Sequence, residues 1–424
     1  MKSRYAEYKE SSIEWIGEIP SHWMIKKGKY LFKIVSGYSP ENVEEQIRKF
    51  GIPYFKVNDL NDKSEVFNLE KSNLYVADDI LNTSPKETIL FPKRGAAIST
   101  NKVKISTSDC IFDTNIMGLI PFKEKIHCRY LAYSISNRGL WDIADTSTIP
   151  QINNKHIEPL EFVLPETIEE QIQITNFLDH KTSQIDHLIA KKEQFIKLLE
   201  EERVAVINQA VTKGLNPNLP MKDSGVEWLG EIPEHWEVKR LGFVFKSLNT
   251  KRIPLSAEER GLMTDRVYDY YGASGVIDKV QDYIFDEDLI LIGEDGANLL
   301  TRSKRLAFIA SGKYWVNNHA HIIKPINGDI NYYCEFLELI DYTVYISGSA
   351  QPKLTQEALM SIKIVEPPLK EQQDIYDFIR LQTNNLDSII SKSKQEIELL
   401  KEYKTALISE VVTGKVDVRN EILN

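Results

Sequence analysis

The chain has 424 residues, 42% hydrophobic and 27% charged, which is the make-up of a globular protein of two to four domains and not of a disordered or fibrous one. Its net charge of −10 excludes a whole-protein basic field, so any nucleic-acid contact must use local patches; residues 1–160 carry a net +2 and residues 222–365 a net −5. No run approaches the roughly 18 apolar residues of a membrane span, the start MKSRYAEYKE lacks a signal-peptide core, and three scattered cysteines (Cys110, Cys128, Cys334) point to a reducing cytoplasm without a disulfide framework or CxxC metal site.

The first element is a block that the chain later repeats. Lys9 to Lys33 reads KESSIEWIGEIPSHWMIKKGKYLFK, and Lys222 to Lys246 reads KDSGVEWLGEIPEHWEVKRLGFVFK, with 13 of 25 positions identical and no gap. Two Trp rings and an Ile in each copy (Trp15, Ile19, Trp23 and Trp228, Ile232, Trp236) are read as structural, fastening the start of each half onto its own module; a functional loop is the alternative. Within residues 1–160 and 222–365, short apolar runs alternate with Gly, Pro, Asn and Asp. Thr88-Ile89-Leu90-Phe91 before Pro92 and Leu289-Ile290-Leu291-Ile292 before Gly293 read as strands by length and flanks.

Residues 161–213 predict a long helix. From Ile168 to Val211 there is no Pro or Gly, and an apolar row of Leu178, Ile185, Leu199 and Val206 is broken by Lys192, with a neighbouring row of Ile189, Ile196 and Ala210 broken by Arg203. Residues 214–221 form an uncharged, turn-rich linker, GLNPNLPM. Residues 366–424 hold a second helix and a tail. Glu371-Gln372 to Thr413 matches Glu170-Gln171 to Thr212 at a constant offset of 201, with Ile379, Leu386, Leu400 and Leu407 broken by Ser393, and Ile390, Ile397 and Val411 broken by Lys404. Matching stripes with matching breaks predict a parallel or antiparallel coiled-coil pair serving as a spacer, each helix about 65 Å long; packing within each half is the plainer alternative. Pro165 and Pro367-Pro368 before the helices and Gly214 and Gly414 after them are the expected punctuation. The whole predicts an α+β protein: two pseudo-symmetric globular modules joined by two long packed helices.

Catalytic motifs are missing from the sequence: no P-loop, no dinucleotide fingerprint, no Gly-x-Ser-x-Gly elbow and no His-Glu-x-x-His. Glu294-Asp295-Gly296, with Trp315-Val316-Asn317-Asn318-His319-Ala320-His321 downstream, offers two carboxylates and a His-x-His that on a strand would share one face, a conceivable divalent-metal set without counterpart in the first half. The simpler reading of Asn317, Asn318 and His319 is a polar surface that exchanges hydrogen bonds, since Asn pairs bidentately with adenine; satisfying a turn is the structural alternative.

These residues together resemble the specificity subunit of type I restriction–modification systems. The resemblance rests on Ile13 to Trp23 and its copy Val226 to Trp236, on Tyr271-Gly272-Ala273-Ser274-Gly275-Val276-Ile277-Asp278, on Gly293-Glu294-Asp295-Gly296, on Trp315 to His321, and on two long helices opening with Glu-Gln. It spans nearly the whole chain. It implies target recognition domains over 1–160 and 222–365, each reading one half of a split, asymmetric DNA target, and spacer helices that dock two adenine methyltransferase subunits, with motor–endonuclease subunits completing the complex. It implies no catalytic residue or metal in this chain, S-adenosylmethionine, ATP and magnesium belonging to the partners. Carried onto this sequence, the DNA-binding candidates are Lys56, Asn58, Lys93, Arg94, Gln151 and Asn153 in the first half and Tyr271, Ser274, Asn317, Asn318, His319, Gln351 and Lys353 in the second. Lys and Arg would hold phosphates while Asn, Gln and Ser read bases. A fused nuclease or methyltransferase would need motifs that the sequence lacks. A duplicated protein-binding scaffold without DNA specificity is the competing reading.

Overall fold

The computed structural model describes residues 3–39, 51–62, 66–76, 83–145, 148–348 and 351–421. The chain forms two compact units, one of Met1–Lys192 with Gln395–Asn424 and one of Glu193–Lys394.

Each unit is layered around one central sheet. In the first, the strands run in the order Phe32–Ser36, Ile116–Pro121, Ile89–Pro92, Lys104–Ser106 and Asn68–Leu69, antiparallel except for the last pair. In the second, the order is Phe245–Ser247, Ala320–Pro325, Leu289–Gly293 and Ala307–Ala310, all antiparallel. The uninterrupted apolar runs fall on the middle strands because those strands are buried on both faces. Ile89 and Phe91 join one core and Leu90 another. Likewise Ile290 and Ile292 face one core and Leu289 and Leu291 the other. Successive strand side chains point to opposite faces, so a doubly covered strand has no place for a polar residue. One face is covered by a helix, Cys128–Arg138 in the first unit and Ile330–Leu339 in the second. The other is covered by a small sheet carrying Phe55 and Phe112 in the first unit, and Phe285, Tyr314 and Val316 in the second.

The long helices run Ile168–Lys213 and Leu369–Val412. They stop at Gly214 and Gly414, both left-handed with φ of 74° and 75°, where glycine alone meets no Cβ penalty. Within the first unit, Lys404 Nζ lies 2.6 Å from Asp186 Oδ2, and Lys192 pairs with Glu396. Within the second, Arg203 Nε lies 3.2 Å from Asp387 Oδ1 and Lys394 Nζ 3.6 Å from Glu200 Oε1. Numbers rise on one helix as they fall on the other, so the packing is antiparallel in each unit. Asp186–Lys404 and Asp387–Arg203 are one pair built twice with the helices exchanged, since both partners shift by 201. The polar breaks in the apolar rows are therefore cross-helix partners, except Ser393, which is buried. Such half-exposed pairs contribute at most about 1 kcal/mol each. The buried rows, including Leu178, Ile185, Ile196 and Leu199 on one helix and Ile379, Leu386, Ile390 and Ile397 on the other, carry the packing.

The repeated block is a hairpin bound to the first turn of a long helix. Tyr8–Glu10 pairs with Glu18–Pro20, and Met221–Asp223 with Glu231–Pro233. Glu170 accepts hydrogen bonds from Tyr5 Oη at 2.9 Å and Trp23 Nε1 at 3.1 Å, and its other oxygen lies 3.0 Å from His22 Nε2. In the second unit Glu371 accepts from Trp236 Nε1 at 2.9 Å, with His235 Nε2 at 2.7 Å. The neighbouring glutamine ties down the start of the helix that covers the central sheet. Gln171 accepts from His127 N and donates to Pro165 O, while Gln372 accepts from Asp329 N and donates to Pro367 O. This explains why the Trp block and the Glu-Gln pair recur together: each helix N-terminus favours a carboxylate, and the Trp ring supplies its donor. One expectation is corrected. Only the second Trp of each block is buried, Trp15 and Trp228 being 49% and 37% exposed, because the turn that carries them lies outside the hairpin's paired strands.

Candidate nucleic-acid interface

The candidates gather where the buried middle strand leaves each central sheet. In the first unit, Ile89–Pro92 runs into Lys93-Arg94-Gly95. Lys93 N donates to Asn115 O at 2.9 Å, Ile152 N donates to Lys93 O at 2.9 Å, and Gly95 N donates to Pro150 O at 2.8 Å. Arg94 forms a β-bridge with Gln151. The adjoining turn is closed by Asp113 Oδ1, which accepts from Asn115 N at 2.7 Å, and Asp113 N donates to Phe55 O at 2.9 Å. These bonds bring Lys93, Arg94 and Gln151 together and set Lys56 beside the same 113–115 turn. Asn153 joins them through Gln151 Nε2, 3.3 Å from its Oδ1. Arg94, Lys56 and Asn58 are exposed, and Lys93, Gln151 and Asn153 half-buried.

The second unit repeats this frame bond for bond. Leu289–Gly293 runs into Glu294-Asp295-Gly296. Glu294 N donates to His319 O at 2.9 Å, Leu354 N to Glu294 O at 2.8 Å, and Gly296 N to Pro352 O at 3.2 Å, while Asp295 bridges Lys353. Asn317 Oδ1 closes the turn by accepting from His319 N at 2.8 Å, and Asn317 N donates to Tyr271 O at 3.0 Å. Glu294 thus stands where Lys93 stands, Asp295 where Arg94 does, Lys353 where Gln151 does, and His319 where Asn115 does. The expectation that the Glu-Asp and Asn-Asn-His segments lack a counterpart holds for side chains and fails for backbone. Turn geometry is set by main-chain bonds and an Asx-type side chain, which both Asp113 and Asn317 supply.

The side chains differ in charge and in partners. Glu294, 8% exposed, pairs with Arg252 and, at 3.2 Å, with Lys353 Nζ. Burial works to raise its carboxyl pKa, but the hydrogen bond from Arg252 and the surrounding positive groups outweigh it, leaving the carboxyl below its ordinary value. Both Asp295 oxygens lie 2.9 Å from His319 Nδ1. His321 is buried, its Nε2 2.7 Å from Leu354 O and its Nδ1 2.8 Å from Asn249 Nδ2. A carbonyl on one nitrogen and an amide donor on the other fit the neutral ring, and burial lowers its pKa. Asn249 Oδ1 also accepts from Ile322 N at 2.7 Å. His319 and His321 were expected on one strand face. The strand starts only at Ala320, so His319 sits in the turn and the rings serve different partners. Among the described residues, no group of three or more His, Cys, Asp or Glu is arranged to hold a metal.

Of the remaining candidates, Asn317 is buried as the turn's cap, whereas Asn318 and Gln351 are exposed. Ser274 is half-buried in the hairpin turn between Tyr268–Gly272 and Gly275–Val280. Tyr271 stacks on Phe308 at 5.9 Å and meets Tyr314 edge-on at 5.4 Å; burial raises its hydroxyl pKa, and its ring serves the outer sheet's core. Asn249 and Arg252 belong to the site although sequence reasoning passed over them, their partners lying dozens of residues downstream with no spacing rule to connect them.

The architecture is that of a duplicated α+β protein with a paired-helix element, and the comparisons give it a family. Residues 20–198 and 233–399 each match the type I restriction modification DNA specificity domain, and the chain belongs to that family. The type I restriction enzyme MjaIX and MjaVIII specificity subunits of Methanocaldococcus jannaschii are 25% and 24% identical to it over 441 and 449 residues, covering 97% of this chain and 97% and 98% of those proteins. Its fold is shared with the HsdS subunit from Thermoanaerobacter tengcongensis, at 12% identity and a TM-score of 0.57 over 94% of this chain and 98% of that one. A chain from a study of complex assembly and conformational transition in the type I R-M system superposes at a TM-score of 0.66 and 11% identity, covering 93% and 98%. The protein is a non-catalytic specificity subunit. Among the described residues, no helix is long and apolar enough to cross a membrane.

Proposed function

We propose that this chain is the sequence-reading component of a type I restriction–modification complex: it binds a split, asymmetric double-stranded DNA target and positions adenine methyltransferase and motor–endonuclease subunits on it. The observation that carries this reading is the single turn frame built twice with different side chains. A frame held by main-chain bonds presents variable side chains without altering the fold, which is what two half-site readers need. Because the outward side chains that can meet bases differ, Gln151 and Asn153 in the first half and Lys353 and His319 in the second, the two half-sites differ and the target is not palindromic. Residues 1–160 and 222–365 act as the target recognition domains.

The helices supply the partner surface. In the first unit Leu188 and Leu399 are 43% and 57% exposed, and in the second Phe195, Leu198 and Leu381 are 45%, 53% and 61% exposed. Apolar residues left uncovered on long helices suit docking by other subunits, here two methyltransferases, which bring S-adenosylmethionine. ATP and magnesium belong to the motor subunits. With a net charge of −10, the chain alone binds DNA weakly, and partners supply the remaining phosphate contacts. Arg94→Ala tests the interface: it weakens DNA binding and lowers the slope of log affinity against log salt by about 1. Unchanged affinity and slope remove Arg94 from the interface.

A further inference from the structure

We infer that the two halves use the shared turn frame for different chemistry: in the second half Glu294 and Asp295 are positioning residues that brace Lys353 and His319 against the polar atoms of a base edge, whereas Lys93 and Arg94 in the first half hold phosphate. This rests on the reading that both turns face DNA.

The carboxylates themselves point away from solvent. The Glu294 and Asp295 side chains are 11% and 17% exposed, while those of Lys353 and His319 are 52% and 49% exposed. The acidic residues are therefore not the reading groups. Each holds one outward group by a defined contact, Glu294 to Lys353 Nζ at 3.2 Å and Asp295 to His319 Nδ1 at 2.9 Å. Arg252, its side chain 16% exposed, pins Glu294 from behind and donates to Ala320 O at 2.9 Å. With Nδ1 engaged, His319 has its Nε2 free of partners among the described residues. In the first unit, Lys93 and Arg94 have no side-chain partner among the described residues.

This difference has physical consequences. A cation already paired with a carboxylate brings little uncompensated charge to DNA, so it displaces few counterions and contributes little to salt-dependent affinity. It is also pre-ordered, losing less rotamer freedom on contact, and a fixed donor discriminates between acceptor patterns where a mobile one does not. A braced lysine donates, and the paired acceptors it suits in the major groove are guanine O6 and N7; His319, its Nδ1–H given to Asp295, presents Nε2 as an acceptor in the neutral ring and suits a base amino group such as adenine N6 or cytosine N4. An unpaired lysine–arginine step on an exposed turn has the opposite character: high charge, low geometric demand, and a place on phosphate.

The test uses the full chain co-expressed with its methyltransferase in a host without DNA methylation, with N6-methyladenine mapping and salt titrations of the purified complex on duplexes carrying the mapped motif. Asp295→Asn and Glu294→Gln relax base preference about tenfold in one half of the motif, leaving the other half and the gap unchanged. Glu294→Gln also frees the Lys353 charge, so non-specific binding tightens and the salt slope steepens, a change that mere loss of structure does not produce. Arg94→Gln keeps the motif and lowers the slope by about 1. His319→Gln and Lys353→Met, on the exposed side, relax the same half and decide the matter should the carboxylate variants fail to assemble. Full retention of both half-sites by His319→Gln and Lys353→Met overturns the inference, as does relaxed base preference with an unaltered slope in Arg94→Gln. Absence of a split motif with the unaltered chain overturns the underlying functional reading instead.

Discussion

Glu170 anchors the first unit more firmly than Glu371 anchors the second, and substitution measures the difference. Glu170, 7% exposed, receives two buried donors, Tyr5 Oη and Trp23 Nε1, besides the half-exposed His22. In Glu170→Ala both donors stay buried without an acceptor. Each unsatisfied buried group costs about 1–3 kcal/mol, so leaving two of them destabilises the first unit by about 2–6 kcal/mol, roughly 4 kcal/mol at the middle of that range. Glu371, its side chain 36% exposed, receives one part-buried donor, Trp236 Nε1, and His235 is free to turn to water. Glu371→Ala therefore costs about 1–2 kcal/mol in the second unit. Thermal unfolding of the full chain by tryptophan fluorescence reads this out. The first-unit transition falls by about 10 °C or more in Glu170→Ala, and the second-unit transition by a few degrees in Glu371→Ala. Equal shifts, or a Glu170→Ala transition within about 2 °C of the unaltered chain, refute the anchoring argument.

The buried His321, with Glu294, Arg252 and Lys353 as the charged groups around it, makes the second unit acid-sensitive. Its pKa is lower folded than unfolded, so below the ordinary imidazole value of about 6.5 the unfolded chain binds the extra proton first, and stability falls as pH falls; His321→Gln flattens the slope of unfolding free energy against pH between 5 and 7. Gly414→Ala would place its Cβ 2.4 Å from Pro20 Cδ at a φ of 75°, whereas Gly214→Ala comes no nearer to a neighbour than 3.2 Å, to the Trp236 ring, at a similar φ. Denaturant titration should therefore show Gly414→Ala as the costlier, by at least about 1 kcal/mol. Asp186 and Lys404 couple by about 0.5–1 kcal/mol in a double-mutant cycle, and the swap Asp186→Lys with Lys404→Asp recovers most of the loss of either single reversal.

The duplication, the strands over Ile89–Phe91 and Leu289–Ile292, and both long helices were legible because each has a periodic or repeated signature. A helix row repeats by turns, and a doubly buried strand is apolar without interruption. Helix direction was not legible: matching breaks at Lys192/Ser393 and Arg203/Lys404 fit parallel or antiparallel pairing, and only contacts such as Asp186–Lys404 decide. The candidate site was legible in its residues and hidden in its organisation. Lys93-Arg94-Gly95 and Glu294-Asp295-Gly296 share a glycine and nothing else in side chain, so their equivalence rests on backbone bonds to Asn115, His319, Pro150 and Pro352, and residue type marks it only at Gly95/Gly296, Pro150/Pro352 and the capping Asp113/Asn317, too sparsely to be seen without the fold. For the same reason Arg252 was invisible: a cation far from its carboxylate in sequence is marked as a partner only by the fold.

The most direct test of the account is methylation mapping. With this chain and its methyltransferase expressed in a methylation-free host, N6-methyladenine should fall in one split motif with two different halves, and disappear when this chain is omitted. Methylation that persists without the chain, or a soluble complex that marks no defined sequence, would contradict the claim that this protein chooses the DNA target.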